Sequence, residues 1–160
     1  MKNGASRLAA LWLVLAAGAG PQGAALAQAP AAGRPGGAPV ACPTPAEMQA
    51  VHLYGLWRAR FDGLATGATL LFERNPDHPD GVRGQVRRED AHGIVRMDWV
   101  AGDVDDGDFT LEESSDGRRI AATWIGTISE DSCGKEIRGT WTPAQGGTSH
   151  PFVLRKQPGW

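Results

Sequence analysis

Between residues 53 and 156 the chain reads as eight short runs of alternating apolar and polar residues, separated by clusters of Gly, Asp, Asn and Pro. A period of two belongs to strands, and no long stretch of 3.6-residue period competes with it. The runs are 53–61, 68–74, 82–88, 94–101, 109–114, 120–128, 136–142 and 151–156. Their separators (DGLATG, NPDHPDG, EDAHG, GDVDDGD, SDGR, SEDSCGK and PAQGGTSH) fit short hairpin loops. Strands joined this way are antiparallel neighbours, and closing the meander on itself removes its exposed edges. The pattern predicts an all-β fold, an eight-stranded antiparallel up-and-down barrel. One short helix precedes it, because Thr44-Pro45-Ala46-Glu47 is a capping box with Pro at the first helical position.

Alternation also assigns faces. Gly55, Trp57, Ala59 and Phe61 share the inner side of the first run, opposite Arg58 and Arg60. Val82, Gly84 and Val86 oppose Arg83, Gln85 and Arg87 in the third. Ile120, Ala122, Trp124 and Gly126 group together, as do Ile137, Gly139 and Trp141, and Phe152 and Leu154. In the fourth run either Trp99 or the pair Arg96 and Asp98 points inward, and the pattern leaves both open. The outer faces are rich in Arg and Glu, the reverse of an outer-membrane barrel.

The N-terminal residues 1–27 carry the features of a secretory signal: Lys2 and Arg7, an apolar run from Leu8 to Gly18, and a small-residue site at Ala25-Leu26-Ala27. That apolar run is shorter than the ~20 residues a membrane-crossing helix needs. Cleavage near Ala27 predicts a periplasmic or secreted protein with 14 basic against 18 acidic residues, net −4. No basic surplus points to nucleic acid. Residues 28–43, mostly Ala, Pro and Gly, read as a disordered leader, and 44–160 as a single barrel domain. Export invites a disulfide between Cys42 and Cys133. The meander supports it: Cys42 precedes the first strand and Cys133 sits in the loop after the sixth, so both fall at one barrel end. The chain-entropy model gives such a loop about 4 kcal/mol.

Gly55-Leu56-Trp57 resembles the G-x-W opening of the calycins, among which the lipocalins pack a basic residue from the last strand across the tryptophan. The resemblance implies that role for Arg155 or Lys156, as a cation–π contact. Trp124-Ile125-Gly126 followed by Ile137-Arg138-Gly139-Thr140-Trp141 is similar to the sixth and seventh strands of avidin-like proteins. Gly84-Gln85-Val86 resembles their third strand. The hydroxyls and amides with which avidins read biotin are replaced by Ala59, Val86, Arg88, Ile120 and Ala122. Each lost partner costs about 1–3 kcal/mol, so tight biotin binding is not expected.

The residues predicted to line a ligand pocket are Trp57, Phe72, Trp99, Trp124 and Trp141. Aromatic walls suit a flat apolar or aromatic ligand, taken non-covalently at the open end. The same residues also suit simple filling of a narrow barrel. Gly102–Asp108 falls short of a calcium loop, since neither its Gly nor its twelfth position matches. No His or Cys spacing marks a zinc site, and no Gly-flanked Ser or free Cys marks a nucleophile. The expectation is therefore a non-enzymatic binding protein, without metal or cofactor, neither bound to nucleic acid nor inserted in a membrane. It is expected to be a monomer or dimer with a small-molecule ligand or an exported protein partner. The alternative is a protein-binding module of the protease- or lysozyme-inhibitor type.

Overall fold

The computed structural model describes residues 42–89 and 92–159. The expected signal segment, most of the leader and Trp160 lie outside these residues. Eight strands form a closed barrel in which each pairs with the next in sequence and the last pairs with the first. They are β1 (Gly55–Phe61), β2 (Ala68–Arg74), β3 (Gly81–Glu89), β4 (Val95–Asp105), β5 (Asp108–Ser114), β6 (Ala122–Ile128), β7 (Glu136–Pro143) and β8 (His150–Lys156). All eight pairings are antiparallel. The predicted up-and-down barrel is the observed one.

Two segments differ from expectation. The helix predicted over 45–51 is split into a 3₁₀ turn, Pro45–Glu47, and a single α turn, α1 (Ala50–Leu53). The capping box forms, with the Thr44 backbone N–H donating to the Glu47 carboxylate at 2.9 Å. Met48 leaves helical geometry because its side chain is buried under the barrel end. In the second segment, GDVDDGD is not a loop. β4 runs on to Asp105, and the hairpin turns on Asp106 and Gly107 alone, both at positive φ (45° and 85°). Two consecutive left-handed residues make a tight hairpin turn whose twist matches that of the strands.

The interior follows the predicted alternation. Trp57, Ala59 and Phe61, then Val82 and Val86, then Phe152 and Leu154 are buried. The buried aromatic rings form two groups stacked along the barrel axis. Near the start of β1, Phe72 lies 6.2 Å from both Trp57 and Phe109. Toward the other end, Trp124 contacts Phe61 at 5.2 Å and Phe152 at 5.0 Å. Tilted and edge-on pairs of this kind add about 0.5–1.5 kcal/mol each beyond area burial.

A barrel this narrow brings backbones into close approach. Gly126 and Gly139 are register partners on β6 and β7. A Cβ on Gly139 would stand 2.0 Å from the Ile125 carbonyl oxygen, and one on Gly84 would stand 1.8 Å from that of Leu71. These glycines, which carry part of the avidin-like resemblance, are required here by contact with backbone that cannot move aside.

Candidate functional site

The two ends of the barrel differ in what closes them. At the end where β1 starts, Met48, Ala50 and Leu53 are buried across the opening, and the disulfide Cys42–Cys133 ties this segment to the β6–β7 connection. The Cα atoms are 4.8 Å apart and the bond spans 91 residues. Trp57 Nε1–H donates to the Leu53 carbonyl at 2.7 Å. Lys156, the register partner of Trp57 on β8, places Nζ 5.7 Å above the indole ring and donates to the His52 carbonyl at 2.6 Å. Lys156 thus takes the place offered to Arg155 or Lys156. Arg155 faces outward and pairs with Glu136 at 2.7 Å. Burial, and to a lesser degree the charge of Lys135, lowers the Lys156 pKa below its ordinary value.

The opposite end carries a polar cluster on an aromatic floor. Arg88 extends the inner face of β3 two residues beyond Val86, and Glu113 extends that of β5 two beyond Leu111. The two form a bidentate ion pair, with Nη2 donating to Oε2 at 2.6 Å alongside the Nη1–Oε1 contact. Trp124 and Trp141 also donate their indole N–H groups to Oε2, at 3.2 and 3.4 Å. The Arg88 guanidinium lies 5.2 Å from the Trp141 ring, 5.5 Å from Trp124 and 5.9 Å from Phe61. Burial pushes the Glu113 carboxyl up. The guanidinium and both indoles outweigh it, and the net pKa lies below the ordinary value. Asp98 moves the other way. Burial, the Glu113 charge and a hydrogen bond to Glu113 raise it, with Arg88 and Arg96 offsetting part of the rise. One carboxyl group is thereby favoured as the acid beside another held as the anion.

The five residues predicted to line one pocket are distributed over three places. Trp57 and Phe72 belong to the core near the covered end, and Trp124 and Trp141 to the opposite end. Trp57 and Trp124 are fully buried. Trp99 is 57% exposed on the outer face of β4, so it does not share a wall with the others. Of the two options that alternation leaves open in that strand, the partly buried Asp98 points inward, whereas Arg96 is exposed. Ile120, expected inside, is 44% exposed because the strand begins only at Ala122. Sequence reasoning does not pick out Arg88 and Glu113 as a pair. The signal that could have found them is their parity with Val86 and Leu111, since charged residues at inward positions of a barrel mark candidate sites.

Outside, β4 presents Val95, Met97 and Trp99 in alternation, all exposed, and Trp99 shares with Ile120 the lining of a shallow groove of about 200 Å³. Among the described residues no cluster of His, Cys, Asp and Glu has the geometry to hold a metal ion.

No protein-family model matches the chain, and no curated protein matches it either. Among solved structures, a de novo designed fluorescence-activating β-barrel is similar at 21% identity, over 68% of this chain and 96% of that one, with a TM-score of 0.48. None of these comparisons assigns the chain to the avidin-like or wider calycin group.

Proposed function

We propose that the protein is an exported, non-enzymatic binding module that engages another protein through the outer surface around Trp99. The observation that carries this reading is the division of the tryptophans. Trp57 and Trp124 are spent on filling the barrel, whereas Trp99 stands in water with Met97 and Val95. Exposed aromatic and Met side chains on a rigid strand are what interface cores are made of. The export signature of residues 1–27 and the Cys42–Cys133 bridge both suit an oxidising compartment.

The second reading keeps a small apolar or aromatic ligand, other than biotin. Its support is the groove between Trp99 and Ile120, which at about 200 Å³ is smaller than the ~300–1,000 Å³ typical of small-molecule sites. A photo-crosslinking residue at position 99, compared with one at the equally exposed Ile125, separates the two readings. Protein adducts from 99 and not from 125 support the module. If neither position gives adducts and native mass spectrometry finds a retained small molecule, the second reading replaces the first.

A further inference from the structure

One flank of the barrel, which meets the β4 patch where Arg87 pairs in register with Met97, carries an arrangement of charge that the packing does not explain. Along one hydrogen-bonded row that climbs around the outside of the tilted strands, register partners run Glu136, Arg155, Arg58, Thr69 and Arg87 across β7, β8, β1, β2 and β3. Arg60 lies two residues along β1 from Arg58, about 7 Å away by strand geometry. Arg58 and Arg155 stand directly opposite one another, a like-charge pairing that destabilises a sheet. Among the described residues, Arg58, Arg60 and Arg87 lie within ion-pair distance of no carboxylate. Arg155 shares the single carboxylate of Glu136 with Arg138. These guanidiniums border an open groove of about 640 Å³, with Glu89 at its edge.

We infer that this groove binds an extended anionic polysaccharide, with Arg58, Arg60, Arg87 and Arg155 forming charge-assisted hydrogen bonds to its acidic groups. A guanidinium fork matches carboxylate, sulfate or phosphate oxygens bidentately, and an anion seated between Arg58 and Arg155 relieves their repulsion. The rest of the lining selects among polyanions. Thr66, Thr69 and Gln157 offer hydroxyl and amide groups suited to sugar hydroxyls. No aromatic ring lines the groove, whereas single-stranded nucleic acid relies on rings for base stacking. The exposed Trp99 that could anchor a membrane lies on β4, outside this groove. A chain-like anion also fits a row of charges along a groove better than a point ligand does.

The test is titration of the purified full chain with a sulfated heparin decasaccharide and, separately, with an oligogalacturonate. Comparison arms are single-stranded DNA of equal charge and phosphatidylglycerol vesicles. Saccharide binding should weaken with added salt, as exposed charge contacts do. Arg58→Glu with Arg87→Glu should lower saccharide affinity about tenfold or more. Arg118→Glu with Arg119→Glu, the same charge change on the β5–β6 loop, should change it by less than about threefold. If the reversed pair perturbs folding by circular dichroism, Arg58→Gln with Arg87→Gln replaces it, with a smaller loss expected in the same direction. Equal losses in both charge variants, no saccharide binding, or tighter binding to DNA or vesicles would each overturn the assignment. None of these outcomes depends on position 99, so this inference and the reading of β4 fail or stand separately.

Discussion

Arg88 on β3 and Glu113 on β5 close a bidentate ion pair at one end of the barrel, where the carboxylate is 3% exposed and also accepts from two tryptophans. Removing one partner of such a pair strands the other charge, which costs more than the pair itself contributes. Glu113→Ala should therefore lower unfolding free energy by about 3 kcal/mol, toward the small end of the range because Arg88 is 23% exposed. The double variant Arg88→Met with Glu113→Leu should recover most of that loss. Urea denaturation of the three proteins decides the matter. Equal losses in the single and double variants would contradict the stranded-charge explanation.

The neighbouring carboxyl gives a pH prediction. Asp98 has a raised folded-state pKa, so its stability contribution is full below 3.8, its unfolded value, and is lost as pH rises through the folded value. Asp98→Asn removes that loss. It should be more stable than the parent at pH 7, with the gain vanishing as pH falls below 3.8. Glu113, with a lowered pKa, contributes stability above 4.5 that disappears as pH falls through its folded value. Melting curves from pH 3 to 8 should show the two trends with opposite sign.

Lys156→Met keeps the aliphatic stem over Trp57 and deletes the charge. It forfeits the cation–π contact and the hydrogen bond to the His52 carbonyl, but is spared the desolvation of the ammonium. The net loss should be about 1 kcal/mol. A gain in thermal stability would mean that desolvation outweighs both contacts.

Cys42→Ser with Cys133→Ser should lower stability by about 4 kcal/mol, since the bridge restrains a 91-residue span of the unfolded chain. Reducing agent should do the same to the parent and nothing to the variant. Intact mass of the oxidised and reduced protein should differ by two hydrogen atoms.

Gly139→Ala drives a methyl group to 2.0 Å from a backbone oxygen that the sheet holds in place. It should cost at least about 2 kcal/mol, as overpacking does, and broaden the amide signals of β6 and β7. Trp99→Ser should change the free energy of unfolding in urea by less than about 0.5 kcal/mol, since exposed positions contribute little.

How much of the fold is legible in the residues depends on range. The period of two and the turn clusters locate all eight strands, because side-chain alternation and hairpin chemistry are local. The extension of β4 to Asp105 escapes them: Asp103 and Asp105 read as loop residues until register pairing with Thr110 and Asp108 keeps them in the ladder. The helix expected over 45–51 splits because Met48 is drawn under the barrel, a contact that local propensity does not contain.

The candidate site divides in the same way. By itself the sequence determined the barrel, the inward parity of Trp57, Trp124 and Trp141, and the two cysteines at one end, since all of these follow from alternation and from counting strands. Only the tertiary structure decided that Trp99 faces water while Asp98 turns in, and that Arg88 finds Glu113 two strands away. It alone put Arg155 opposite Arg58 on the outer face. The reason is physical. Parity assigns a side chain to one of two faces, but which charge meets which is set by register between strands far apart in the chain. That register is fixed by closing the barrel around its aromatic core.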